Sequence, residues 1–151
     1  MYNIRVYGIL VQNQAVLVSD EYYKGIYMTK FPGGGHEIGE GFIDCLKREF
    51  IEELNLEIAI KDHFYTTDFY VPSFFNISQQ LISVYYLIEN ISQKMIPTGN
   101  KIFDFEPEHG AQSLRWIHLI DLSEDDLTYP IDKKVVSMLK KSHNLSPLIG
   151  Y

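Results

Sequence analysis

The sequence predicts an α/β fold: an α/β/α sandwich built on a central mixed β-sheet, in one domain spanning residues 1–151. Three observations lead there. Stretches of period-two alternation lie on both sides of a central segment with helical period. A second helical segment closes the chain, so helices are available to cover a sheet. The length of 151 residues suits one domain, and no internal repeat, low-complexity tract or linker divides it.

The elements follow in order. Arg5 to Val11 alternates and is rich in β-branched residues, which predicts a strand. Asn13-Gln14 is a turn, Ala15 to Ser19 a second strand, and Ile26 to Phe31 a third. The third stops at Pro32-Gly33-Gly34-Gly35, a strong breaker. From Gly41 to Leu54 the period becomes helical, with Ile43, Leu46, Phe50 and Leu54 at three- and four-residue steps. Asn55 ends that helix, because Asn tolerates the left-handed conformation. Glu57 to Val71 reads as one long strand or two, and Leu81 to Ile88 as a buried strand. Glu89 to Ser113 carries two prolines and two glycines with little periodicity, so it is mostly loop. Leu114 to Leu119 is a last strand. Ile131 to Lys140 is a closing helix with Ile131, Val135, Met138 and Leu139 on one face.

Composition narrows the class of function. A hydrophobic share of 46% with 22% charged residues is ordinary for a globular protein. The net charge of −7 argues against a nucleic-acid partner, which needs a basic footprint. It leaves room for a phosphorylated small molecule, because carboxylates hold divalent cations and those receive phosphates. No apolar run reaches the roughly 18 residues of a membrane span, and the start of the chain has no signal-peptide core. The single cysteine, Cys45, suits a reducing compartment, so a cytoplasmic location is expected.

The chemistry concentrates between Phe31 and Leu56, FPGGGHEIGEGFIDCLKREFIEELNL. A glycine-rich loop runs into a helix bearing Glu49, Glu52 and Glu53, which fall within an arc of roughly 100° at helical spacing. Phe42 and Cys45 project on the same side, so that side is expected to avoid open water. Like-charged neighbours one turn apart destabilise a helix by a few tenths of a kcal/mol, and a bound divalent cation removes that conflict. Glycines beside the carboxylates let backbone approach an ion or a phosphate unobstructed. A solvated acidic face behind a glycine turn is the plainer alternative for the helix taken alone.

The segment resembles the Nudix box, Gly-x5-Glu-x7-Arg-Glu-U-x-Glu-Glu-x-Gly-U, where U is a bulky aliphatic residue. Gly34, Glu40, Arg48, Glu49, Glu52 and Glu53 match in type and spacing, and Leu56 matches the final U. Phe50 fills the first U with an aromatic, and Asn55 stands where the family has Gly. The resemblance implies a Nudix hydrolase: an α/β/α sandwich that uses Mg²⁺, with Mn²⁺ as a substitute. It implies that Glu49, Glu52 and Glu53 bind metal, and that Glu49, Glu52, Arg48 and Glu108 serve catalysis. Arg48 would orient a helix carboxylate, and Glu40 would fix the loop to the helix. A carbonyl near Gly33 or Gly34 would add a ligand, and Gly33, Gly34 and Gly35 would form the phosphate loop. Glu108 is the candidate base from the loop before the last strand, with Glu106 second. Both are loop-surface acids on the plainer view.

The expected reaction is hydrolysis of a phosphoanhydride bond in a nucleoside diphosphate linked to another moiety. A nucleoside triphosphate giving a nucleoside monophosphate and pyrophosphate is the leading form. The alternatives are ADP-ribose, a nucleotide sugar or a dinucleoside polyphosphate as substrate, or a Nudix module that senses nucleotide without turnover. Pro72 falls near where ADP-ribose-cleaving members carry a proline. The five histidines show no zinc spacing, and neither a nucleophile elbow nor a P-loop is present. Cys45 reads as a small core residue. Phe64, Tyr65, Phe69, Tyr70, Phe74 and Phe75 read as strand-face core, a base-stacking surface or a homodimer contact.

Overall fold

A computed structural model describes residues 1–145 of the chain, so the end of the expected domain, 146–151, lies outside the described residues. Among the described residues seven strands and two helices follow in order: β1 Tyr2–Gln12, β2 Ala15–Tyr23, β3 Ile26–Lys30, β4 Gly33–Gly35, α1 Phe42–Leu54, β5 Ile58–Thr66, β6 Gln80–Asn90, β7 Ala111–His118 and α2 Pro130–Leu145. They fall into two compact units. One comprises Met1–Leu10 with Pro32–Lys94, the other Val11–Phe31 with the described residues from Met95.

In the first unit the strand order is β4-β1-β6-β5. β1 runs parallel to β6 from Tyr2↔Gln80 to Leu10↔Ile88, and antiparallel to β4 through Arg5↔Gly35 and Tyr7↔Gly33. β5 pairs antiparallel with β6 through two irregularities, Ile60/Asp62 and His63/Tyr65. The sheet is therefore mixed, as expected. α1 buries Leu46 and Phe50 completely. Phe50 lies against Gly8 so closely that a methyl there would come within 2.9 Å of its ring. Burying such a side chain contributes about 2–3 kcal/mol. α1 ends where the sequence predicts: Asn55 is left-handed (φ 53°, ψ 39°), and its N–H donates to Ile51 O while that of Leu56 donates to Phe50 O.

In the second unit β2 pairs with β3, with β7 and with the last two residues of β1, all antiparallel. Both hairpins have two-residue loops with positive φ at both positions, Asn13-Gln14 (51°, 63°) and Lys24-Gly25 (49°, 77°). Those turns match the twist of the strands they join. α2 buries Ile131, Val135, Val136 and Leu139, and Met138 is half-buried.

Several expectations need correction. The glycine run is not only a breaker: Gly33–Gly35 is itself a strand, because residues without side chains can lie flat against β1. β2 runs to Tyr23 rather than stopping at Ser19, since its polar end finds partners in β3 and β7. β5 ends at Thr66, and beyond it only Pro72 makes an isolated bridge, to Gln80. β7 begins at Ala111, three residues early. Ile43, placed by period on the apolar stripe of α1, is 41% exposed. It lies in the first turn, where the helix is still emerging from its loop.

Candidate active site

After Pro32 the chain enters β4, laid along β1. Gly33 has φ 153°, and a methyl there would sit 2.1 Å from Val6 O, so only glycine fits. Gly34 serves differently. A methyl at Gly34 would sit 2.3 Å from Glu49 Cδ and 2.4 and 2.5 Å from its two oxygens. The carboxylate of Glu49 therefore occupies the space a side chain would fill. Its side chain is 12% exposed.

Arg48 is the hub of the first unit's polar network. Nε–H and one Nη2–H form a two-point pair with Glu40 (3.0 Å to Oε2, 2.7 Å to Oε1). Nη2 also donates to Gly35 O at 3.1 Å. Nη1 donates to Glu49 Oε1 at 3.0 Å and Glu52 Oε2 at 3.2 Å. A guanidinium has five N–H donors, and each has an acceptor here. Arg48 thus ties β4, the loop and two helix carboxylates to one rigid plane, which a lysine point charge could not do. Hydrogen bonds from Arg48 hold the Glu40 carboxyl down to about 2, and the same bonds push Arg48 well above its ordinary range. The Glu40 side chain also accepts from Glu37 N–H at 3.0 Å, while its backbone carbonyl lies 2.6 Å from His36 Nε2.

Cys45 is fully buried, with its Sγ 3.5 Å from Gly35 O. Burial first, and the neighbouring Glu40 second, push its thiol up to about 12. It is an inert packing residue.

The helix carboxylates are not equivalent. Glu49 turns onto the glycine strand, whereas the Glu52 side chain is 58% exposed and Glu53 is exposed. Phe42 is 37% exposed and meets His36 edge-on. The expectation that this whole side avoids water thus holds for Cys45 and Glu49 and fails for Phe42, Glu52 and Glu53. Among the described residues no three His, Cys, Asp or Glu side chains gather into a group able to hold a metal. A closed cage is not what Mg²⁺ needs: it binds one or two carboxylates, keeps water and takes phosphate oxygens. The oxygen donors of Glu49 and Glu52, brought to one guanidinium nitrogen beside a strand free of side chains, fit that demand.

Glu106 and Glu108 lie exposed in the second unit, in a tight turn before β7 where Glu108 N–H donates to Glu106 O at 2.8 Å. The aromatic residues from 64 to 75 divide. Tyr65 is buried 6.3 Å from Tyr85, while Phe69, Tyr70, Phe74 and Phe75 are exposed.

Sequence reasoning missed two features. Arg5 pairs with Gly35 across the β1–β4 ladder, and its Nε–H donates to Tyr7 Oη at 2.7 Å. The alternation of β1 puts Arg5 and Tyr7 on one face, but their glycine neighbours come from a strand pairing that local pattern does not reveal. The second is Asp20, fully buried on Arg115. It lies one residue past the expected end of β2, and nothing in the local sequence pattern marks it as buried.

A family model described as NUDIX domain matches residues 1–139. No curated protein matches the chain. Many solved structures share its fold. A NUDIX hydrolase from Nitrosomonas europaea aligns with TM-score 0.71 at 15% identity, covering 94% of this chain and 90% of its own. A MutT protein from methicillin-resistant Staphylococcus aureus 252 aligns with TM-score 0.62 at 20% identity, covering 94% and 99%. An ADP-ribose pyrophosphatase from Streptococcus suis aligns with TM-score 0.62 at 12% identity, covering 94% and 92%.

Proposed function

The chain belongs to the NUDIX family of pyrophosphohydrolases, and on that premise we propose that it hydrolyses a nucleoside triphosphate, with Mg²⁺ or Mn²⁺, to a nucleoside monophosphate and pyrophosphate. One observation carries this reading. Gly34 leaves its side-chain space to the Glu49 carboxylate, and Arg48 Nη1 joins that carboxylate to Glu52. The family match runs through both units without a break, which supports treating them as one catalytic domain.

Each residue then has a task. Glu49, Glu52 and Glu53 hold the cation, with a carbonyl of Gly33 or Gly34 as a further oxygen donor. Bound there, the ion would neutralise diphosphate charge and acidify the attacking water. Arg48 keeps Glu49 and Glu52 pointed, and Glu40 keeps Arg48 pointed. The Gly33–Gly35 strand accepts phosphate oxygens at close range. Glu108, or Glu106 beside it, removes the proton from water. Arg5 offers a cation beside Gly35, suited to a phosphate of the same substrate. A reducing, cytoplasmic setting suits the unpaired Cys45, and exposed Phe74 and Phe75 would serve a homodimer contact.

ADP-ribose, nucleotide sugars and dinucleoside polyphosphates are the second reading. The experiment is a substrate panel of all these with nucleoside triphosphates, assayed with Mg²⁺, with Mn²⁺ and with EDTA. Pyrophosphate release from a triphosphate, abolished by EDTA, is expected. Cleavage of ADP-ribose alone would move the chain to the second reading. Nucleotide binding without turnover would make it a sensor.

A further inference from the structure

The three glycines of β4 are not surrounded alike. Val6 O and Tyr7 fill the side-chain space of Gly33, and the Glu49 carboxylate fills that of Gly34. The space over Gly35 is open. Apart from its chain neighbours, only Arg5 among the described residues comes within 4 Å of where a methyl would lie, with Nη1 at 3.7 Å. Gly35 is half-buried, while Gly33 and Gly34 are buried. Solvent therefore reaches this end of β4 beside a guanidinium.

Arg5 is aimed there by its own strand. The register Arg5↔Gly35 puts both residues on one face of the sheet, and Val6↔Gly34 puts Glu49 over the other. Arg5 Nε–H donates to Tyr7 Oη at 2.7 Å, and its Cζ lies 5.8 Å from the centre of the Tyr7 ring. Tyr7 is itself buried, with its ring 5.3 Å from that of Tyr85, so the phenol is a fixed post. Arg48 joins the two faces: Nη2 donates to Gly35 O at 3.1 Å and Nη1 to Glu49 Oε1 at 3.0 Å. Arg5, Gly35, Arg48 and Glu49 are thus one connected set inside the first unit. Gly34 and Gly35 have Cα atoms about 3.8 Å apart, so a phosphate chain beside Glu49 need pass only one residue to reach Arg5.

In the reading above the α1 carboxylates serve, through a cation, the two phosphates at the bond that is cut. A further phosphate needs its own positive partner, and a guanidinium supplies charge together with paired N–H donors. We propose that Arg5 is a substrate-binding residue: it takes the third phosphate of a nucleoside triphosphate in the open space over Gly35, and so selects triphosphates over diphosphates. Tyr7 is its positioning residue. The proposal rests on the triphosphate hydrolase reading.

The test uses the full chain with Arg5→Gln, Arg5→Lys and Gly35→Ala. Gly35 lies outside the left-handed region, so alanine there fits the backbone. It leaves Arg5 and its phenol in place and fills the open space. Binding of inorganic tripolyphosphate is measured by calorimetry in EDTA, and steady-state kinetics on a nucleoside triphosphate with Mg²⁺. Arg5→Gln and Gly35→Ala should each weaken tripolyphosphate at least tenfold, and Arg5→Lys by less, with Tm within about 4 °C of native. Both should raise KM at least tenfold with kcat within twofold, and leave binding of the nucleoside diphosphate with Mg²⁺ within twofold. A merely structural Arg5 would instead lower Tm in Arg5→Gln and leave Gly35→Ala binding as native, which overturns the proposal. So does a native chain that binds no tripolyphosphate in EDTA, or an equal loss for the diphosphate. Should the native chain bind tripolyphosphate but turn over no triphosphate, the hydrolase reading fails on its own, and the metal-free binding still decides whether Arg5 holds a phosphate.

Discussion

Two adjacent glycines separate folding from chemistry. At Gly33 an added methyl meets the backbone oxygen of Val6, which cannot move without breaking the β1–β4 ladder. At Gly34 it meets the end of the Glu49 side chain, which can swing away. Gly33→Ala should therefore cost about 2–4 kcal/mol of stability in urea unfolding. Gly34→Ala should leave Tm within about 4 °C of native yet lower kcat at least a hundredfold, because the displaced carboxylate is one proposed to hold the cation. If Gly34→Ala kept full activity, the position of Glu49 would not matter to turnover. The Nudix-like spacing made Gly34 and Glu49 legible in the sequence. Their contact was not, because it arises from a strand pairing between β1 and β4.

At the scale of elements, the helix end and the loop before it carry separate predictions. Asn55 sits at φ 53° as the C-cap of α1. Asn55→Gly should be neutral or stabilising by up to about 1 kcal/mol, and Asn55→Ala destabilising by about 1 kcal/mol, measured by thermal unfolding. The loop answers to pH through Glu40. Its folded pKa of about 2 lies below the ordinary 4.5, so the stability it contributes is present above 4.5. That contribution falls away as pH drops from about 4.5 through about 2. Glu40→Gln should flatten this part of the stability–pH curve, read as urea midpoints at steps of pH. A curve as steep as the native one would mean that Arg48 does not hold Glu40 in solution. Helices were the most legible elements, since period and caps are local. Strand ends at Tyr23, Thr66 and Ala111 were not, since they are set by partners distant in sequence.

At the scale of the molecule, the chain's family followed from a segment of about a sixth of its length, and the family model extends this over residues 1–139. No described helix is long and apolar enough to cross a membrane. What the sequence could not convey was how unequal its three helix carboxylates are. Periodicity puts Glu49, Glu52 and Glu53 in one arc, but burial against Gly34 singles out Glu49, while Arg48 reaches both Glu49 and Glu52. Asp20 shows the same limit: a charge at the ragged end of a strand becomes the buried centre of a network only after Thr29, Phe103 and Arg115 arrive from three other segments.

In the proposed reaction the α1 carboxylates hold the cation that hydrolysis needs. The most direct test compares native chain and Glu53→Gln for Mg²⁺-dependent release of pyrophosphate from a nucleoside triphosphate, with Tm measured on both. Loss of release by a thousandfold or more, with Tm within about 4 °C of native, is the predicted result. Undiminished release from Glu53→Gln at matched Mg²⁺ would contradict it.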